Sequence, residues 1–167
     1  AQTVKLHSVK LDPAATTIEL IRDSAARRLR FLDEISIAAA VGLPNSIEAA
    51  VVLADDPNAD VGGCFALVHS AGRAAALIRA GAVGVLSVDN PRATEPPRWP
   101  VAYSKSVRLT PPVPSSVFSI RVSTEIAEEI LRAPARLRIR TKAVVRQSES
   151  DNLIAALPGE LDEYVVV

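Results

Sequence analysis

The sequence predicts an α/β domain with two short helices, and three features predict it. The apolar runs Cys64–Val68 and Ala82–Val88 flank AGRAAALIRAG, where Ala71, Ala74, Ala75 and Ile78 recur at helical spacing. Gly81 follows, at the point where a helix C-terminus favours a left-handed residue. Beyond a proline-rich stretch comes a second unit of the same order: a β-prone run at Val117–Val122, Ser123 as a helix N-cap, a helix ending by Ala133-Pro134, and the alternating run ARLRIRTKAVV. The helices fall at about 71–80 and 124–132.

Taken in order, residues 1–45 form an extended lead-in, 46–146 a core and 147–167 a return segment. AQTVKLHSVKLD alternates charged residues with β-formers. Ile18, Ile21, Ala25 and Leu29 fit one face of a helix, while Ile18/Leu20 and Leu29/Phe31 alternate equally well around RDSAAR as a hairpin with a polar turn. SIEAAVVLA (Ser46–Ala54) places Ile47, Ala49, Val51 and Leu53 on one face, a strand pattern. Cys64–Val68 and Val83–Val88, joined through one helix, should run parallel with a right-handed crossover. Ala82–Val88 is apolar on both faces, as a central strand covered on two sides would be. In the second helix Glu125, Glu128 and Glu129 lie early, where the macrodipole favours negative charge. The chain ends on Tyr164-Val165-Val166-Val167, a β-prone run after the turn signal Pro158-Gly159.

Composition excludes several classes of function. Nineteen basic and 19 acidic residues cancel, so no global field attracts nucleic acid or an anionic membrane surface. No apolar run approaches the ~20 residues that cross a bilayer, and the N-terminus has no apolar signal region. The chain starts on Ala1 and contains no methionine, which leads us to expect a processed or excised piece. Cys64 is the single cysteine, so an internal disulfide and a thiolate zinc cluster are both out of reach, and it reads as a small apolar core residue.

The chain's chemistry-bearing residues do not form a self-contained active site. His7 and His69 are its two histidines, and neither belongs to an HExxH or HxH spacing. His69 stands beside Ser70, but adjacent residues do not make a nucleophile–base pair and no GxSxG elbow is present; Ser70 reads as a helix N-cap. Gly81–Gly84 is not GxGxxG and lies at a helix C-terminus, the wrong end for a phosphate. Asp55, Asp56 and Asp60 lack the glycine and distal glutamate of a calcium loop and read as a solvated turn. Arg136, Arg138, Arg140 and Lys142 alternate with Leu137, Ile139 and Thr141; without interleaved aromatics they read as the wet face of a half-buried strand rather than a phosphate-binding face.

GGCFALV…RAAALIRAGAVGVLSVDNP followed by VPSSVFSIRVSTEIAEEIL resembles the protease-associated (PA) domain. Ala80-Gly81-Ala82-Val83-Gly84-Val85 matches that family's A-G-A-x-G-V, and Val113-Pro114 through Ser119-Ile120 roughly matches its I-P-V…S-I strand. NLIAALPGELDEYVVV is similar to the segment by which di-zinc aminopeptidases return from an inserted PA domain to a catalytic domain, where G-x-H-x-D would follow. The resemblance runs from about Ile18 to Val167, and it favours the hairpin for Ile18–Leu32. Two departures stand out: the loop after Val68 is only HSAG, and the peptidase GyG pattern after Val51–Leu53 is replaced by ADDPNAD.

The resemblance implies a curved mixed sheet or open barrel with two flanking helices. It implies an accessory, non-catalytic role: capping the active-site cleft of a zinc-dependent aminopeptidase, with zinc and its ligands on the absent catalytic domain and none on this chain. The partners implied are that catalytic domain and a peptide substrate, and the location is secreted or extracytoplasmic. Within the chain, the loop Asn90–Tyr103 carries Arg92, Arg98, Trp99 and Tyr103, groups suited to a peptide carboxylate and an apolar side chain. Two alternatives are a PA-type peptide-binding module from another host, such as a subtilisin-like protease or sorting receptor, and a small stand-alone α/β enzyme.

Overall fold

The computed structural model describes residues 2–152. The strand expected at Tyr164–Val167, with the rest of 153–167, lies outside them. Within the described residues the chain builds two sheets. The larger has eight strands and curls into a half-barrel: β2 (Thr17–Arg22), β3 (Ala25–Leu29), β4 (Ile35–Ile37), β5 (Ser46–Leu53), β6 (Phe65–Val68), β7 (Gly84–Val88), β9 (Phe118–Val122) and β10 (Ala135–Arg140), in the order β3-β2-β10-β5-β6-β7-β9-β4. The smaller joins β11 (Ala143–Asn152), β1 (Gln2–Leu11) and β8 (Lys105–Arg108) in the order β11-β1-β8. Two short helices flank the sheet, α1 (Ala74–Arg79) and α2 (Thr124–Leu131).

The middle of the large sheet is parallel. β5, β6, β7 and β9 all run the same way, with Phe65 opposite Gly84 and Gly84 opposite Phe118. β6 is buried on both faces and apolar throughout, and β7 is buried over Gly84–Leu86, whereas β9 alternates buried Phe118, Ile120 and Val122 with Ser119 and Arg121. One face, carrying Phe65, Leu67, Leu86, Phe118 and Ile120, packs into the main core with Ile126 and Ile130 of α2. The other, with Ala66, Val68 and Val85, meets Leu77 of α1 and Val61 in a smaller core. The hairpin is formed as expected, with Asp23 and Ser24 both at positive φ, the geometry that matches the twist of a two-residue turn. Gly81 is left-handed at φ +92 and closes the segment after α1.

Several local expectations are corrected. Ser70 does not cap the first helix: Ala71–Arg73 forms a 3-10 turn, α1 starts at Ala74, and its N-cap residue Arg73 makes no side-chain cap bond. Cys64 precedes β6 and is half-buried, with Sγ 3.5 Å from the Gly62 carbonyl. Leu53 turns out to the solvent at 45% exposure where β5 leaves the core. ARLRIRTKAVV is two strands, because Thr141 is buried and turns inward, its N–H bonded to the Asn45 carbonyl at 3.0 Å and its hydroxyl to the Pro44 carbonyl at 3.3 Å. The chain then crosses to the small sheet as β11.

Ser123 caps α2 as expected, its Oγ accepting the Ile126 N–H at 3.4 Å. The arginines of β10 lie on the wet face, and two of them, Arg136 and Arg138, are paired. Arg138 reaches Glu48 at 2.9 Å and Glu19 at 3.1 Å, and Arg136 reaches Glu48 at 2.9 Å. Hydrogen bonds from Arg136 and Arg138 hold the Glu48 carboxyl below its usual range. The charges alternate across neighbouring strands, which is why this basic strand does not present a bare cationic stripe.

Candidate functional site

Open α/β sheets bind ligands outside the carboxyl ends of their parallel strands, and here those ends carry a set of organised polar groups. β5 delivers Asp55, β6 His69, β7 Asp89 and Asn90, and β9 Ser123 and Thr124. Asp55 grips His69 twice: Oδ1 accepts its backbone N–H at 3.1 Å and Oδ2 lies 2.6 Å from Nδ1. Those hydrogen bonds lower the Asp55 pKa. Arg73 fixes the same corner by donating to the carbonyls of Ala54 at 2.9 Å and Asp55 at 2.6 Å. The side chain stays 58% exposed. Asp56 and Asp60 accept the N–H groups of Asn58 and Gly62, which fits the solvated turn expected for this segment.

Beyond β7 and β9, Asp89 bridges to Arg121 at 2.8 Å, and the Arg121 guanidinium lies 4.2 Å from the centre of the Tyr103 ring. Asn90 accepts the Thr124 hydroxyl at 2.7 Å. Between them opens a recess of about 390 Å³ lined by Asn90, Pro91, Ala93, Thr94, Arg98 and Glu125. Glu125 sits in the first turn of α2, and its carboxyl is lowered first by its own backbone N–H, then by the Ser123 hydroxyl, with the Arg98 charge adding to both. Glu125 therefore already supplies the negative charge that this helix end favours. The recess pairs one cation with one anion.

The structure separates the four residues picked from the loop Asn90–Tyr103. Arg98 lines the recess and lies 3.0 Å from Asp33, with its side chain 36% exposed. That approach is a charge contact rather than an aligned hydrogen bond, since Arg98 Nε and both Asp33 oxygens lack a partner of hydrogen-bond geometry. Arg92 is exposed. Trp99 is 1% exposed, with its backbone N–H bonded to the Leu32 carbonyl at 2.9 Å, so it anchors the loop to the body. Tyr103 is half-buried beneath Arg121. Sequence reading missed the Asp55–His69 pair, whose partners are 14 positions apart; the parallel strand ends that join them were its only available signal.

Among the described residues no group of three or more His, Cys, Asp or Glu side chains could hold a metal ion. His7 lies on the small sheet, remote in topology from His69. No helix among the described residues is long and apolar enough to cross a membrane.

The fold defines an α/β half-barrel of PA-like form, a curled mixed sheet with two short helices. No protein-family model matches the sequence, and no curated protein does. Among solved structures the chain is similar to a peptidase M28 precursor from Shewanella amazonensis SB2B, at 12% identity over 89% of this chain and 38% of that one, with a TM-score of 0.55. It is also similar to BSAP, a zinc aminopeptidase from Bacillus subtilis, at 16% identity over 86% of this chain and 35% of that one, with a TM-score of 0.51. This chain thus spans little more than a third of either peptidase, and the likeness at these identities is one of fold.

Proposed function

We propose that this chain is the accessory, non-catalytic PA domain of a larger zinc-dependent aminopeptidase, capping its active-site cleft and contributing to substrate selection or protein contact. The observation that carries the reading is the asymmetry of the match, which takes in 86–89% of this chain but only 35–38% of the peptidases it resembles. The stem supports it, because β1 and β11 pair along ten residues with Gln2 opposite Asn152, so the strands that enter and leave the body lie side by side. In this reading zinc and its activated water belong to the partner catalytic domain, and the protein is secreted or extracytoplasmic.

The reading is tested by incubating the purified chain with zinc and aminoacyl chromogenic substrates. No turnover is expected; turnover abolished by a chelator would overturn it. Within the proposed parent enzyme we assign a substrate contact to Arg98, because it lines the recess beside Glu125. Arg98→Ala there should raise KM more than it lowers kcat, and unchanged kinetics would remove Arg98 from the site.

A further inference from the structure

A second recess, of about 420 Å³, opens where β3 ends, and its size falls within the ~300–1,000 Å³ of ligand pockets. Leu29 and Leu32 are buried and Phe31 half-buried beneath it, and Pro13 and Pro97 complete its apolar lining. Arg28 and Arg30 line it and are exposed. Arg30 is engaged with Asp33 at 2.6 Å and Glu34 at 3.5 Å. Arg28 has no ion pair among the described residues, because its cross-strand neighbour Glu19 is bonded to Arg138. Arg22, Arg27, Arg30 and Arg98 already share Asp33, Glu34 and Glu129, so the surroundings are cationic before Arg28 is added.

The strand leading to this recess is an edge. Among the described residues β3 pairs with β2 alone, which leaves its other row of backbone N–H and C=O groups open. A second copy is a poor partner for that edge, since pairing β3 with itself would set Arg27 and Arg28 against like charges. An anionic extended segment is complementary. Only a segment running parallel to β3 brings its own C-terminus to the Leu29 end.

We propose that the β3 edge and the recess at its end bind an extended peptide with a free C-terminal carboxylate and an apolar last side chain. The carboxylate lies between Arg28 and Arg30, and the last side chain covers Leu29 and Leu32. Strand addition supplies main-chain hydrogen bonds, while the recess selects the terminus; guanidinium–carboxylate bonds are the strong, directional kind. The site stands independently of the accessory-domain reading.

The test is titration of the full chain with N-acetyl-Ala-Val-Ala-Leu as the free acid and as the C-terminal amide, with amide hydrogen exchange in parallel. The free acid should bind about tenfold or more tightly than the amide. Arg28→Gln, an exposed edge substitution that sets no like charge against Glu19, should weaken the acid by a similar factor without lowering Tm, and bound acid should protect the amides of Ala25–Leu29. Equal binding of acid and amide, no binding at millimolar peptide, or protection confined to other strands would each overturn the proposal. So would uptake of octanoate with none of the peptide, since that would leave the open edge unused.

Discussion

Gly84 holds a position that no other residue can take without moving its neighbours. It lies in β7 with Phe65 directly opposite on one side and Phe118 on the other. A β-carbon there would stand 2.8 Å from Cδ1 and Cε1 of Phe65 and 2.9 Å from Cβ of Phe118. Carbon atoms pack at about 3.5–4.0 Å, so both contacts are repulsive. The Phe65 ring has little room to swing, being fully buried and edge-on to Phe118 at 6.2 Å and 63°. The Phe118 β-carbon is fixed by the backbone of β9. Overpacking of this kind costs about 1–3 kcal/mol. Alanine regains about 0.4–1 kcal/mol by restricting the unfolded chain. At the centre of those ranges Gly84→Ala should therefore destabilise the chain by about 1.3 kcal/mol, a fall of about 3–5 °C in Tm at ~2–4 °C per kcal/mol for a domain of this size. Thermal unfolding followed by circular dichroism reads the shift. Phe65→Leu in the alanine background should recover part of it, as coupling between touching side chains requires. A Gly84→Ala protein with an unchanged or higher Tm would refute the reasoning, because the space between the two rings would then already be free.

Two further perturbations test the caps and charges. Ser123→Ala removes the acceptor for the Ile126 N–H, a long bond at 3.4 Å, and should cost about 0.5–1 kcal/mol by urea denaturation, at the low end for helix caps. Glu34 is pushed up by burial, but bonds from the Arg30 N–H and the Arg27 side chain, with both charges, outweigh burial and leave its carboxyl lowered. A lowered carboxylate contributes stability above its ordinary pKa and loses it as pH falls through the folded value. The urea midpoints of the parent chain and Glu34→Gln should therefore differ near neutral pH and converge as pH falls below the ordinary carboxylate range and through the folded value; a gap independent of pH would show that the carboxylate charge is not what matters.

Much of this fold is legible because local and long-range signals agree. The run Cys64–Val68, the helical spacing of alanines and Gly81 each point to strand, helix and parallel strand, and β6, α1 and β7 are there. The two glycines of AGAVG have separate physical causes. Gly81 needs a left-handed backbone, while Gly84 needs the absence of a side chain between two phenylalanines. Other features depend on contacts that sequence spacing does not reveal. Thr141 fits an alternating strand as well as a break, and only the Pro44 and Asn45 carbonyls decide for the break. Ser70 has the chemistry of a cap, yet a 3-10 turn precedes α1 and Arg73 is drawn to the carbonyls of Ala54 and Asp55. Trp99 looks like a recognition residue in a polar loop, and its burial against the body depends on where that loop is pulled by Leu32. The recess beside Arg98 is half visible: the loop is identifiable, but Glu125 arrives from α2, 27 positions further on.

The break at Thr141 has a mechanical consequence for the proposed role. A domain that shapes another domain's cleft has to be held at a fixed angle, and a two-stranded stem alone is a weak device for that, since isolated hairpins are marginally stable. Here the stem is tied to the body at its root. Val9 and Leu11 are each 1% exposed, Leu11 belongs to the main core, and the Asp12 N–H bonds to the Lys142 carbonyl at 3.0 Å where both strands leave the body. β8 adds a third strand over His7–Lys10, so the part of the stem nearest the body is a three-stranded sheet rather than a ribbon. Further out, β1 and β11 continue to pair with each other as far as Gln2 opposite Asn152. The third strand and the buried Val9 and Leu11 therefore stiffen the root of the stem, where an angle between stem and body has to be held.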